Sequence, residues 1–102
     1  MIKTYEGFFT DDFKDGLRHL SSLKKQIRKK VDAVLLYPYY NTEPLGKGRW
    51  ADLRGLRSKR VNRNIRIIFL ICEETPHPDC KNEKQRILFL TVGPHDKVYG
   101  KP

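Results

Sequence analysis

A chain of 102 residues has room for one domain and one modest core. It carries 21 Lys and Arg against 12 Asp and Glu, a formal net charge of +9, which suits either a solvated surface or a nucleic-acid, ribosome or acidic protein partner. No apolar run is long enough for a transmembrane helix and residues 1–5 lack the apolar stretch of a signal peptide, so a cytosolic protein with no membrane partner is expected.

Residues 2–8 are expected to form a short strand. Thr10 then reads as a helix N-cap, with Asp11 and Asp12 in the first turn, where the helix dipole favours acids. Phe9, Phe13, Leu17 and Leu20 follow at helical spacing, and Gly16 weakens this helix without forbidding it. Ser21 and Ser22 offer a second cap. Beyond them Leu23, Ile27, Val31, Val34 and Leu35 form one apolar stripe, with Lys24, Lys25, Arg28, Lys29 and Lys30 largely off it. Pro38 stops the helix near Tyr37. Two amphipathic helices joined this tightly predict an antiparallel helical hairpin.

Residues 39–48, rich in Pro, Gly and Asn, are expected to be a loop. Residues 53–61 read as a polar, basic strand. Residues 65–72 and 87–92 are apolar on both faces and are predicted to be central strands, separated by a polar loop over residues 73–84. The order predicts a single α+β domain over residues 1–102, of the form β-α-α-β-β-β. Its hairpin should cover one face of a mostly antiparallel sheet of about four strands.

The densest chemical feature is the cation run Arg49, Arg54, Arg57, Lys59, Arg60, Arg63 and Arg66. On a strand Arg57 and Lys59 share a side, and a hairpin through Asn62-Arg63-Asn64 would return Arg66 towards them. Cations gathered on one sheet face repel one another unless an anion such as a phosphate sits among them. The same crowding lowers the pKa of a lysine and suits Lys59 to proton transfer. The competing account is a solvated edge strand, because Lys and Arg also guard sheet edges against aggregation.

After the last apolar strand, Gly93-Pro94 makes a sharp exit and His95 and Tyr99 follow. Histidine titrates near neutrality and tyrosine can stack on a base, although such a segment by itself is more often an ordinary turn. Cys72, His77 and Cys80 are zinc-ligating types, but a structural site needs four ligands, so a buried thiol and a loop thiol are expected, with no metal. The phosphate-binding, dinucleotide-binding, zinc-protease and serine-hydrolase motifs are all missing from the sequence.

The run Leu53-Arg54-Gly55-Leu56-Arg57-Ser58-Lys59-Arg60-Val61, the segment Ile65-Arg66-Ile67-Ile68-Phe69 and the ending Val92-Gly93-Pro94-His95-Asp96-Lys97-Val98-Tyr99 closely resemble the RelE-like toxins of the RelE/ParE superfamily. The resemblance covers nearly the whole chain. It implies the toxin of a type II toxin–antitoxin system, an endoribonuclease that cleaves mRNA in the ribosomal A site without metal or other cofactor. In that chemistry the 2′-hydroxyl attacks the adjacent phosphate and leaves a 2′,3′-cyclic phosphate. Carried across, Arg57 and Lys59 match the basic pair of the first central strand, Arg66 the arginine opening the next, and Tyr99 the C-terminal tyrosine. His95 falls where relatives carry Arg or His. Arg49, Arg54, Arg60, Arg63 and Lys97 are expected to bind the RNA backbone. The implied partner is an acidic antitoxin encoded by the adjacent gene. The loop over residues 73–85 is longer than the family's usual turn. The same fold also serves ParE-like inhibitors of DNA gyrase, which are not nucleases, and an inactive nucleic-acid-binding relative is a further alternative.

Overall fold

The structure, a computed structural model, describes residues 4–49 and 51–100. The chain runs β1 (Glu6–Phe9), α1 (Asp11–His19), a 3-10 turn (Ser21–Leu23), α2 (Lys24–Leu36), β2 (Glu43–Pro44), β3 (Arg57–Arg60), β4 (Ile65–Ile71), a second 3-10 turn (Pro78–Cys80), β5 (Arg86–Pro94) and α3 (His95–Val98).

The strands make one mixed sheet in the order β1-β5-β4-β3-β2. It has five strands rather than about four: β1 runs parallel to β5, and the other neighbours are antiparallel. The extra strand, β2, lies inside the segment expected to be a loop. It is two residues long and pairs with Ser58 and Arg57. The expected first strand starts later and ends one residue later, at Phe9; Ile2 and Lys3 lie outside the described residues.

Thr10 caps α1 as its sequence suggests. Its hydroxyl accepts from the Phe13 amide at 3.1 Å and donates to the Leu90 carbonyl at 2.7 Å, so one side chain both starts the helix and ties it to β5. Ser21 and Ser22 do not cap α2 directly. They belong to the 3-10 turn, and α2 begins after Leu23 with no side-chain cap. The two helices are not a self-contained hairpin laid on the sheet. Each buries its own stripe into the sheet's core, and an apolar groove remains between them, lined by Phe9, Phe13, Leu17, Ile27 and Val31.

That core consists of Phe13, Ile27, Val31 and Val34 from the helices against Ile65, Ile67, Phe69, Ile71, Ile87, Phe89 and Val92 from β4 and β5. Full burial of each such side chain contributes about 1.5–3 kcal/mol. Phe89 is its centre, stacked on Phe9 with ring centroids 4.9 Å apart and within 5.8 Å of Phe13. Gly16 explains how α1 comes so close: a Cβ there would lie 2.3 Å from the Val92 carbonyl oxygen.

The opposite face of the sheet is divided. One half carries a small second cluster of Leu70, Leu88 and Cys80, with Leu56, Cys72 and Leu90 packed around it. Cys72 and Cys80, expected as separate thiols, are joined in a disulfide that folds the β4–β5 loop over this cluster. Both sulfurs are thereby withdrawn from metal ligation. The other half of that face is free for the site.

Candidate active site

The β3–β4 hairpin sets where the cations go. Asn62 Oδ1 accepts from the amides of Asn64 and Ile65 at 2.8 and 3.0 Å, and the Val61 amide donates to the Ile65 carbonyl, which fixes the turn. The resulting register pairs Arg57 with Phe69, Lys59 with Ile67, and Arg60 with Arg66. Paired residues share a face. Arg57 and Lys59 therefore lie on the helix-covered face, as Phe69 and Ile67 do, and Arg60 and Arg66 lie on the open one. The expected convergence of Arg57, Lys59 and Arg66 on a single face is not what the register gives.

A cleft of about 990 Å³ nevertheless gathers most of these residues. It follows the side of β3 that β2, ending at Pro44, leaves unpaired, and so takes in side chains from both faces. Lys30 from α2, Asn41 from the loop after it and Lys59 line it on the helix side; Ser58, Arg60 and Arg66 line it on the open side. The segment from Leu45 to Arg49 forms the outer wall, and His95 and Tyr99 close the end.

Lys59 is 8% exposed, the one buried charged side chain among the described residues. Its ammonium donates to the Asn41 carbonyl at 3.3 Å. Burial, and then the nearby charge of Lys30, push its pKa down from the usual lysine range. Arg66 is held by the turn itself: its Nη1 donates to the carbonyls of Asn62, Arg63 and Ile65 at 2.8, 3.2 and 3.2 Å. A guanidinium pinned in this way is preorganised for an anion, since its other donors are already aimed.

His95 and Tyr99 reach the cleft because α3 settles on the open face. Gly93 pairs with Arg66, and the space above it is taken by Val98, 3.4 Å from where a Cβ would sit. The His95 amide donates to the Asn64 carbonyl at 2.8 Å, which ties the start of α3 to the hairpin turn. The rings of His95 and Tyr99 meet edge to face, 4.3 Å between centroids. The His95 Nδ1 lies 3.5 Å from Asp96.

Arg57 is not among the cleft's lining residues. Its guanidinium is held by Glu74 in a two-pronged ion pair at 2.9 Å, donates to the Thr42 hydroxyl at 3.3 Å and lies 4.9 Å from the centroid of the Tyr39 ring. Of the five residues matched to the toxin site, the cleft unites Lys59, Arg66, His95 and Tyr99. Of the other basic residues, Arg49 and Arg60 line it. Arg54 is outside, paired with Asp52 at 2.6 Å, and exposed Arg63 and Lys97 are not part of its lining. Sequence reasoning missed Lys30 and Asn41. Lys30 reads as one more solvent-facing lysine of α2, and Asn41 contributes a backbone carbonyl, which no side-chain pattern reveals.

No protein-family model matches the sequence, and no curated protein matches it significantly. Solved structures do match. The toxin–antitoxin complex RelBE2 from Mycobacterium tuberculosis contains a chain that superposes with a TM-score of 0.68 at 18% identity, covering 93% of this chain and 95% of that one. YafQ from E. coli superposes with a TM-score of 0.64 at 13% identity over 94% of this chain and 99% of that one. A YoeB/ParE toxin from Agrobacterium tumefaciens gives 0.62 at 18% identity over 88% and 98%.

The fold is that of the RelE/ParE toxins.

In a RelE-like frame the cleft sits where the sheet is left uncovered by its own helices and by the second cluster. Its walls come from four separate stretches of chain: the middle of α2 together with the loop after that helix, β3 with its preceding loop, the start of β4, and α3. Among the described residues there is no grouping of His, Cys, Asp and Glu able to hold a metal ion, and no helix is long and apolar enough to cross a membrane.

Proposed function

We propose that this protein is the toxin of a toxin–antitoxin pair and that it cleaves mRNA in the ribosomal A site. The observation that carries the reading is the cleft itself: a desolvated lysine, a fixed arginine, a histidine and a tyrosine around one basic, phosphate-accommodating space. The RelE-like fold, shared with the toxin chain of a toxin–antitoxin complex, is the second support.

The proposed reaction uses these side chains alone, with no metal and no cofactor. Lys59, in its neutral form, takes the proton of the 2′-hydroxyl. The O2′–P bond forms as the P–O5′ bond breaks. Arg66, with Arg60 beside it, stabilises the charge growing on the phosphorane oxygens. His95, held by Asp96 and by the Tyr99 ring, gives a proton to the leaving 5′-oxygen, and Tyr99 offers a ring on which a base stacks. The products are a 2′,3′-cyclic phosphate and a 5′-hydroxyl. The phosphate-stabilising role that the toxin resemblance implies for Arg57 passes to Arg66 and Arg60 in this reading. Arg49 lies along the path of the flanking backbone.

The partner that restrains such a toxin is an acidic antitoxin in the same cytoplasm. A net charge of +9 attracts one, and the apolar groove between α1 and α2, with Lys14, Lys24 and Arg28 among its lining residues, suits an acidic amphipathic helix.

The test is to map the 5′ ends of cellular mRNA after brief induction, with plasmid supercoiling measured in the same cells. New ends inside translated frames are expected, with supercoiling unchanged. Intact mRNA with relaxed plasmid would instead identify a gyrase inhibitor of the ParE kind.

A further inference from the structure

Arg57 has an unusual set of neighbours for a residue whose strand lines the cleft. Two of its partners bracket the short segment Tyr40-Asn41. Tyr39, under the guanidinium, and Thr42, which accepts from Nη1, lie on either side of Asn41. Asn41 has a left-handed backbone, with φ at 51°, and its carbonyl receives the Lys59 ammonium. The Thr42 hydroxyl in turn donates to the Pro38 carbonyl at 2.7 Å, closing the loop on itself.

The far side of Arg57 is also anchored. Glu74, which neutralises it, belongs to the loop that follows β4. In that loop the Thr75 hydroxyl donates to the Gly55 carbonyl at 2.8 Å, and Glu73 accepts from the hydroxyls of Tyr39 and Tyr5. Arg57 thus touches both this acidic loop, at Glu74, and the segment carrying Asn41, at Tyr39 and Thr42.

We propose that Arg57 is a positioning residue: by gripping Tyr39 and Thr42 it holds the Asn41 carbonyl against Lys59 and keeps Lys59 shielded from water. This inference rests on the ribonuclease reading for its consequence in activity, but its structural content stands apart from that reading. It assigns Arg57 a role through Lys59 in place of contact with the phosphate.

The groups that face Lys59 are cations almost throughout. Lys30 of α2, Lys47 and Arg49 of the outer wall, Arg60 of its own strand, Arg66 of β4 and His95 of α3 all line the same cleft, together with Tyr99 and a single acid, Glu43. Among the described residues no carboxylate is hydrogen-bonded to Lys59, and shielding from water is the first cause of its lowered titration, with the charge of Lys30 after it. Loosening the loop admits water and moves the Lys59 titration back up.

The experiment follows the titration of Lys59 by NMR in the free protein labelled at lysine, and the pH dependence of single-turnover cleavage on translated mRNA. Wild type is compared with Arg57→Ala and with Thr42→Val, which removes the loop's bond to Arg57 but leaves the arginine paired with Glu74. Both variants should move the Lys59 titration up towards the ordinary lysine range, Arg57→Ala further. The alkaline rise of the rate should move with it, and cleavage at neutral pH should fall about tenfold for each pH unit of that movement. An Arg57→Ala variant that loses rate while its Lys59 titration and pH profile stay in place would overturn the proposal and return Arg57 to the phosphate. So would a Thr42→Val variant with an unmoved titration. If wild type cleaves no RNA, the ribonuclease reading fails, and the titrations of the free proteins still decide the role of Arg57.

Discussion

Lys59 and Arg66 lie on adjacent strands yet leave the sheet on opposite faces, because Lys59 pairs with Ile67 and Arg66 pairs with Arg60. They meet only around the unpaired side of β3, where the cleft takes in both. A phosphate bound there would be reached from two directions, by the base from the helix side and by the arginine from the open side.

Substitution should separate those contributions. Lys59→Met keeps the buried chain and removes the ammonium, so cleavage should fall by about 10²–10⁴-fold. Stability should hold or rise, since an apolar chain replaces a desolvated charge. Arg66→Ala should cost about 10²–10³-fold, the usual loss for one preorganised donor. Single-turnover assays on translated mRNA, with thermal unfolding of each variant, measure both quantities. Near wild-type cleavage by Lys59→Met would eliminate it as the base.

Much of this arrangement was legible in the sequence. The stripe of Ile27, Val31 and Val34 and the two apolar segments of β4 and β5 announce themselves by period, and Thr10 by its place before two aspartates. Strand alternation correctly put Arg57 and Lys59 on one side. The face of Arg66 was not legible, because it depends on how many residues the turn absorbs, and the Asn62 hydrogen bonds decide that. The two residues of β2 have no period to detect. The disulfide was hidden because Cys72 reads as the end of a strand, while the return of Cys80 depends on a 3-10 turn followed by left-handed Lys81 and Asn82.

That disulfide closes a short loop. Chain-entropy reasoning for a separation of 8 residues gives about 2.5 kcal/mol of stabilisation. Unfolding with and without a dithiol reductant, or in a Cys72→Ser, Cys80→Ser variant, should show a loss of that size. For a domain of this length it corresponds to a fall in Tm of roughly 10 °C or more. An unchanged midpoint would mean that the loop is held by Thr75 and Glu74 without help.

Gly16→Ala tests the approach of α1 to β5. In an isolated helix the change would stabilise by about 1 kcal/mol. Here the new Cβ would meet the Val92 carbonyl oxygen at 2.3 Å, a backbone atom that cannot swing away. The clash wins, and a net loss of about 3 kcal/mol is expected in denaturant unfolding. A more stable variant would show that the helix can lift off without cost.

Tyr5 offers a signature in alkali. The hydrogen bond from its hydroxyl to Glu73, with burial and the carboxylate's charge adding to it, raises its pKa to about 12. The folded state keeps this proton after the unfolded chain has lost it. The contribution is complete below the ordinary tyrosine pKa of about 10 and disappears as pH climbs through about 12. Tyr5→Phe should flatten that decline in a series of unfolding curves from pH 9 to 12, relative to wild type. Parallel curves for the two proteins would rule the bond out as a source of stability.

The parallel pairing of β1 with β5 sets a schedule for synthesis. The opening strand of the sheet has no neighbour until Arg86–Pro94 has been made, and β4 lacks one side until then. The growing chain therefore carries an unfinished sheet until β5 is made, with the helices waiting on a core that has no Phe89. His95 and Tyr99 are translated later still, so the cleft is assembled only after β5. The cations of β3 and β4 thus wait without His95 and Tyr99 until the sheet's fifth strand has been made.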